Sequence, residues 1–352
     1  MGSRIKIKVA VVDDSAFMRK LISEIIESDE SFEVVAKLRN GNELIKRIDE
    51  LNPDVVTLDL EMPELDGIDT LKELKRKNID VPVMMISSNT EEGSSKTMEC
   101  LYNGAVDFVT KPSGAISLDI KKVSDQLIEK LKVVATKSRN VSRPTKNVKA
   151  MEDDFVNLKR EVKINKNKID VVLIGASTGG PRAIQKVIEG LDNSINKPIL
   201  IVQHMPVGFT KAFADRLNRV CSLKVLEAEE GMKIENNTVY IARGGVHMLV
   251  DKNKRIAFSD APTMWGVRPA VDKLFQSAVE VYGKNILACL LTGMGRDGAD
   301  GIKTVKNAGG VTIAQSESTC TIFGMPRAAI LTGKVDYILD IDKISGGIKD
   351  LI

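Results

Sequence analysis

The strongest constraint on this chain is a hydrophobic period that changes back and forth along it. Over residues 4–136, short apolar runs alternate with segments whose apolar residues recur at helical spacing. Residues 5–12, 33–38, 55–58, 81–87 and 107–109 read as strands. Between and after them Met18/Leu21/Ile22/Ile25, Leu44/Ile45/Ile48/Leu51, Ile68/Leu71/Leu74 and Ile120/Val123/Leu127/Leu131 read as helix faces. Five such units predict a parallel sheet covered on both faces. The alternation resumes near residue 168 and again predicts an α/β layer structure.

Charge marks the division between the two blocks. From Thr136 to Lys168 the chain has ten Lys/Arg and four Asp/Glu, so this stretch alone carries +6 of a total of +3. It is rich in Asn, Lys and Ser and contains Arg143-Pro144, the composition of a linker. The expected organisation is therefore a first domain over 4–136, a flexible basic linker over 137–167 and a second domain over 168–352. The basic residues are interleaved with Glu152, Asp153 and Asp154 and have no repeating aromatic platform, which argues against a nucleic-acid partner. The longest purely apolar run is a handful of residues around Val81 to Ile86, far short of the roughly 18 a bilayer span needs. No apolar targeting segment follows the N-terminus, so a cytoplasmic protein without membrane insertion is expected. Cys100, Cys221, Cys289 and Cys320 form no C-x-x-C pair, and the two histidines, His204 and His247, argue against a zinc site.

In open parallel sheets the functional site lies at the carboxyl ends of the strands. In the first domain those ends carry Asp13-Asp14, Asp59, Ser87-Ser88 and Lys111-Pro112. Each acid alone could be a helix cap. Acids on two strands with a hydroxyl and a lysine on two others form a constellation, and converging carboxylates need a cation, for which Mg²⁺ is suited. Val12-Asp13-Asp14-Ser15, Leu58-Asp59-Leu60-Glu61-Met62-Pro63, Gly67, Ser87 and Lys111-Pro112 together resemble the receiver domain of two-component response regulators. The resemblance implies a flavodoxin-like (βα)5 fold in which Asp59 accepts a phosphoryl group from a histidine kinase. It also implies Mg²⁺ held by Asp14, Asp59 and the Glu61 carbonyl, with Asp13 acting through water. Ser87 and Lys111 would contact the phosphoryl oxygens, and Phe108 would repack on switching.

The second domain opens with an apolar run, Ile169 to Ile174, then Gly175-Ala-Ser-Thr-Gly-Gly180 and a helix start. G-x-G-x-x-G is absent, and the next strand ends in Gln203-His204 where a ribose-binding acid would stand. Gly175-Ala-Ser177-Thr-Gly179 fits a nucleophile elbow, G-x-S-x-G, between strand and helix. Of the two histidines, His204 ends the neighbouring apolar run and is the better base. His247 lies in residues 239–250, which read as a hairpin distant from that edge, lining a substrate surface or satisfying a turn. For the orienting acid, Asp297 and Asp300 both follow the apolar run ending at Leu291, with Asp297 nearer the strand end. The Gly-rich turn at 293–298 offers backbone N–H groups for an oxyanion.

GASTGG (175–180), QHMP (203–206), ARGGVHM (242–248), RPAVDKLF (268–275), LTGMGRDGADG (291–301) and FGMPRAAI (323–330) resemble the catalytic domain of the chemotaxis protein-glutamate methylesterase family. That resemblance implies a doubly wound, mostly parallel α/β esterase domain with a β-hairpin. It implies a Ser177–His204–Asp297 triad with no cofactor, the Met294 backbone near the oxyanion, and methylated glutamates or certain glutamines of chemoreceptors as substrates; Thr178 N–H, following the nucleophile, is a second candidate oxyanion donor. The protein would then be found at receptor arrays through its partners. A receiver fused to an esterase further implies that phosphorylation switches hydrolysis on, in the simplest case by relieving occlusion of the serine. A DNA-binding output or a nucleotide-binding module after the receiver would need a different second half.

Overall fold

The computed structural model describes residues 6–88, 90–111, 117–141 and 168–352, and the chain divides into two compact units, residues 1–165 and 166–352. Residues 142–167, most of the expected linker, lie outside the described residues.

In the first unit the elements are β1 (Ile7–Val12), α1 (Ala16–Glu27), β2 (Phe32–Leu38), α2 (Gly41–Leu51) and β3 (Val55–Asp59). They continue with α3 (Gly67–Arg76), β4 (Val83–Ser87), α4 (Glu91–Asn103), β5 (Asp107–Thr110) and α5 (Ser117–Val141). The strands form one parallel sheet in the order β2-β1-β3-β4-β5. β3 and β4 are buried throughout, as central strands covered on both faces must be. The helices start on residues that satisfy their first amides: Ser15, Asn40, Asp66 and Thr90 each accept a backbone N–H from their own helix's first turn. Asp13 and Asp59 cap neither helix, so their placement needs another cause.

The second unit begins with β6 (Val171–Ala176), α6 (Gly180–Glu189), β7 (Ile199–Gln203), α7 (Phe209–Val220), β8 (Lys224–Glu227) and β9 (Thr238–Ile241). β10 (His247–Val250), β11 (Ile256–Ser259), α8 (Val271–Tyr282), β12 (Ile286–Leu290) and α9 (Ala299–Asn307) follow. β13 (Val311–Gln315), α10 (Met325–Leu331), β14 (Tyr337–Leu339) and α11 (Ile341–Leu351) complete it. Seven strands form a wholly parallel sheet in the order β14-β13-β12-β6-β7-β9-β8. Its centre is apolar: β6, β7 and β12 are fully buried, and Leu274, Phe275 and Ala278 of α8 pack into the same core.

The hairpin expected over 239–250 is corrected. β9 joins the main parallel sheet beside β7, and the antiparallel pair is β10 with β11, His247 opposite Ser259. The physical reason is burial: all four residues of β9 are inside, the pattern of a sheet core strand, and the Gly244-Gly245 turn breaks it from β10. Among the described residues, no helix is long and apolar enough to cross a membrane.

Candidate active site

Each sheet has one point where the chain reverses its direction of winding, and there two neighbouring strands open a crevice at their carboxyl ends. In the first unit that point lies between β1 and β3, so Asp13 and Asp59 meet. Asp13, Asp14 and Asp59 present oxygens within 4.8 Å of one another. Lys111, just past β5, places Nζ 2.8 Å from Asp59 Oδ2 and 3.2 Å from Asp13 Oδ2. A cleft of about 220 Å³ opens here, lined by Asp14, Asp59, Leu60, Glu61, Ser88 and Lys111.

The electrostatics are those of an anion cluster short of positive charge. Burial pushes Asp59 up to about 6; its hydrogen bond from Lys111 opposes this, and the nearby Asp13 adds to it. Asp13 is also raised, first by burial. Burial alone would lower Lys111, but its bonds and attraction to the two carboxylates outweigh that and hold it protonated. Three hard oxygen donors around an open cleft are a fit for Mg²⁺, which prefers carboxylates and retains water. The Ser87 hydroxyl is bonded to Thr97 and lies apart from the cleft lining, while Phe108 is buried with Lys130 Nζ 5.6 Å from its ring centroid. Sequence reasoning missed Arg19, whose guanidinium donates to the carbonyls of Asp13 and Asp14 and braces the β1–α1 turn.

In the second unit the reversal lies between β6 and β12. Ser177 follows β6 directly, and its N–H donates to Thr292 O, 3.0 Å away at the end of β12. The register pairs Ala176 with Gln203, so Ser177 and His204 are the next residues on adjacent strands, and His204 N–H donates to Ala176 O at 3.1 Å. Gln203 Nε2 donates to Ser177 O and His204 O, fixing the two turns to each other. The His204 ring donates from Nε2 to Asp297 Oδ2 at 2.8 Å. That leaves Nδ1 as the basic nitrogen of the neutral ring.

Asp297 is buried and fully bonded. Oδ2 also accepts Val271 N–H at 2.6 Å, and Oδ1 accepts Asp272 N–H at 3.0 Å and Gly298 N–H at 2.9 Å. The first two donors are opening amides of α8, so a helix N-terminus binds this carboxylate as it would any anion. Burial alone would raise Asp297; the bond from His204, the attraction of that ring when it is protonated and those backbone amides outweigh it and hold it below the usual carboxylate range. Asp300, by contrast, faces outward in the first turn of α9 and ion-pairs with Arg296 at 3.7 Å. Both expected oxyanion residues lie at this crevice: Thr178 is buried in the turn after Ser177, and Met294 follows Gly293. A Cβ on Gly293 would stand 2.8 Å from Ser177 Cβ and 2.2 Å from Met325 Sδ, so only glycine lets this turn approach the serine.

His247 is not distant from this edge. It is buried, its Nδ1 accepts Ala270 N–H at 3.1 Å and its Nε2 donates to Pro262 O at 3.2 Å. It therefore braces the entrance of α8, the helix whose amides hold Asp297, and burial pushes its pKa down. Sequence reasoning also missed Asp272 as an individual residue. Its carboxylate is buried beside Asp297 and accepts N–H groups from Trp265 and Gly301.

Comparison with known proteins agrees with both halves. Residues 172–348 match the family model described as CheB methylesterase, and residues 9–121 match the response regulator receiver domain. A Clostridium acetobutylicum protein named protein-glutamate methylesterase/protein-glutamine glutaminase is 46% identical, covering 99% of this chain and 98% of that protein. A Bacillus subtilis protein of the same name is 42% identical, covering 98% of each. The crystal structure of the Thermotoga maritima CheB methylesterase catalytic domain is 41% identical over 52% of this chain and 99% of its own, with a TM-score of 0.51.

Proposed function

The chain belongs to the CheB methylesterase family and carries a response regulator receiver domain, and from that premise we propose that it is a phosphorylation-activated protein-glutamate methylesterase and protein-glutamine glutaminase acting on chemoreceptors. The observation that carries the reading is the His204–Asp297 bond at 2.8 Å, formed one sheet position from Ser177.

The chemistry is acyl transfer. Ser177 Oγ attacks the γ-carbonyl carbon of a glutamyl methyl ester while His204 Nδ1 takes its proton. Asp297 keeps the imidazole in this tautomer and stabilises the imidazolium. Backbone N–H groups at Thr178 and Met294 stabilise the oxyanion. His204 returns the proton to the departing methoxide, and methanol leaves. Water then attacks the acyl-enzyme by the same proton route, giving a glutamate carboxylate and restoring Ser177. With glutamine the leaving group is ammonia.

In the receiver, Asp59 accepts a phosphoryl group from a histidine kinase. Asp14, Asp59 and the Glu61 carbonyl would hold Mg²⁺, with Asp13 through water, and the ion supplies charge neutralisation for the transferred group. Lys111 contacts the phosphoryl oxygens, and Ser87 turns from Thr97 to do the same as Phe108 repacks. The domain limits that suit this reading are 4–136 and 168–352, joined by the basic segment, with the protein cytoplasmic and at receptor arrays. The test is methanol release from methylated receptor with and without a small-molecule phosphodonor. Release that rises with phosphodonor and disappears in Ser177→Ala is expected; release that survives Ser177→Ala overturns the serine mechanism.

A further inference from the structure

The reaction chemistry leaves Trp265 unexplained. It is the chain's single tryptophan, 49% exposed, and its φ of +55° lies in the left-handed region that bulky residues rarely occupy. Its ring is nevertheless fixed. The indole N–H donates to Asp272 Oδ2 at 2.9 Å, and the other oxygen of that buried carboxylate accepts Gly301 N–H at 2.6 Å. The N–H of Asp272 in turn donates to Asp297. The aromatic face is thus tied to the same helix end that holds the orienting acid.

Over that face lies Arg296, its guanidinium carbon 4.5 Å from the ring centroid. Arg296 stands between Met294 and Asp297 in the turn that approaches Ser177, and its side chain is 57% exposed. Its ion-pair partner Asp300 is 3.7 Å away, outside hydrogen-bond reach. A guanidinium stacked on an aromatic ring keeps its planar edge and its N–H fork for another group, and that fork matches a carboxylate. The strained backbone and the buried anchor go to holding this one cation at the rim of the serine site.

We propose that Trp265 and Arg296 form a specificity subsite that takes a side-chain carboxylate of the substrate protein close to the reacting γ-ester. The inference rests on the esterase reading above. It makes the enzyme prefer esters that lie among acidic neighbours, and it assigns the preference to Arg296 with Trp265 as its platform.

The test uses the full chain with phosphodonor and two peptides, each with one glutamyl γ-methyl ester, flanked by glutamates in one and by glutamines in the other. The wild type is expected to favour the glutamate-flanked peptide by about tenfold in kcat/KM, mostly through KM. Arg296→Gln and Trp265→Leu should bring the ratio toward one, and Arg296→Glu should invert it, which a purely structural role for the residue would not do. Equal hydrolysis of both peptides by the wild type, or a ratio that Arg296→Glu leaves unchanged, overturns the subsite while leaving the esterase reading intact. A wild type that releases no methanol from the peptides or from methylated receptor overturns the esterase reading and the subsite together.

Discussion

Asp59 and Asp297 are both buried carboxylates at the winding reversal of a parallel sheet, yet their surroundings drive them in opposite directions. Asp59 takes one backbone N–H, from Leu60, and shares Lys111 with a second carboxylate, so burial wins and it is pushed up to about 6. Asp297 takes three backbone N–H groups and the His204 ring, so it is held down despite equal burial. Under the proposed function, the same kind of crevice would serve two chemistries. A carboxylate left short of donors suits a group that must receive a phosphoryl and a cation. A carboxylate saturated with donors suits one that must only orient a neighbour.

The largest expected effect separates the two crevices outright. Ser177→Ala or His204→Ala should lower ester hydrolysis by about 10⁴-fold or more, while phosphoryl incorporation at Asp59 persists. Asp297→Ala should join them, with Asp300→Ala staying within a few fold of wild type. A dead Asp300→Ala beside an active Asp297→Ala would reverse the assignment of the acid. Asp59→Asn should hydrolyse ester without responding to phosphodonor.

Chelation divides them by their ions. Removing Mg²⁺ from the full chain should reduce phosphoryl incorporation by roughly two orders of magnitude or more, with methanol release in the absence of phosphodonor unaffected. Loss of that basal release on chelation would contradict a serine mechanism without metal. A smaller effect comes from the glycines that allow each crevice to close. A Cβ on Gly67 would stand 2.6 Å from Asp59 O, and one on Gly293 would stand 2.8 Å from Ser177 Cβ. Gly293→Ala should therefore slow hydrolysis by about 100-fold, the scale of a 1 Å misplacement, and leave phosphorylation alone; Gly67→Ala should do the converse. Assays of both activities on each variant check this.

The two units also differ in how far their sequences can be read. In the first, the helix caps are local: Ser15, Asn40, Asp66 and Thr90 each serve their own helix, so strand ends and site acids stand out along the chain. In the second, α6, α7, α8 and α9 start at Gly179, Gly208, Ala270 and Gly298 without a side-chain cap. The amides of α8 are satisfied by Asp297, about 25 positions along the chain, and α9 receives Asp272. Long-range capping leaves no spacing signal: Asp297 could be named as a candidate only because it follows a strand end, whereas Asp272, Trp265 and the role of His247 had no such marker. β9 was misread for a related reason: it pairs in parallel with β8 and β7, which come about fourteen and forty residues earlier, while the adjacent Gly-Gly turn resembles a hairpin.

Asp272 carries the comparison inside the second unit, with the smallest expected effect. Burial pushes it up to about 6, and the neighbouring Asp297 charge adds to this against the bonds from Trp265 and Gly301. Its folded pKa therefore lies above its unfolded one, so the stability it contributes is present in acid and is lost as the pH rises through about 6. Asp297 has the opposite sign: its contribution is present above the ordinary carboxylate pKa and is lost as the pH falls through its lowered value. Wild type should accordingly lose stability relative to Asp272→Asn between pH 4 and 7, because the amide cannot ionise. Asp297→Asn should cost more stability at pH 7 than at pH 3. Since Trp265 is the only tryptophan, its fluorescence during chemical denaturation reports this unit alone within the full chain. Parallel pH slopes for wild type and Asp272→Asn would mean that neither burial nor the Asp297 charge raises Asp272, and the contrast between the two buried acids would fail.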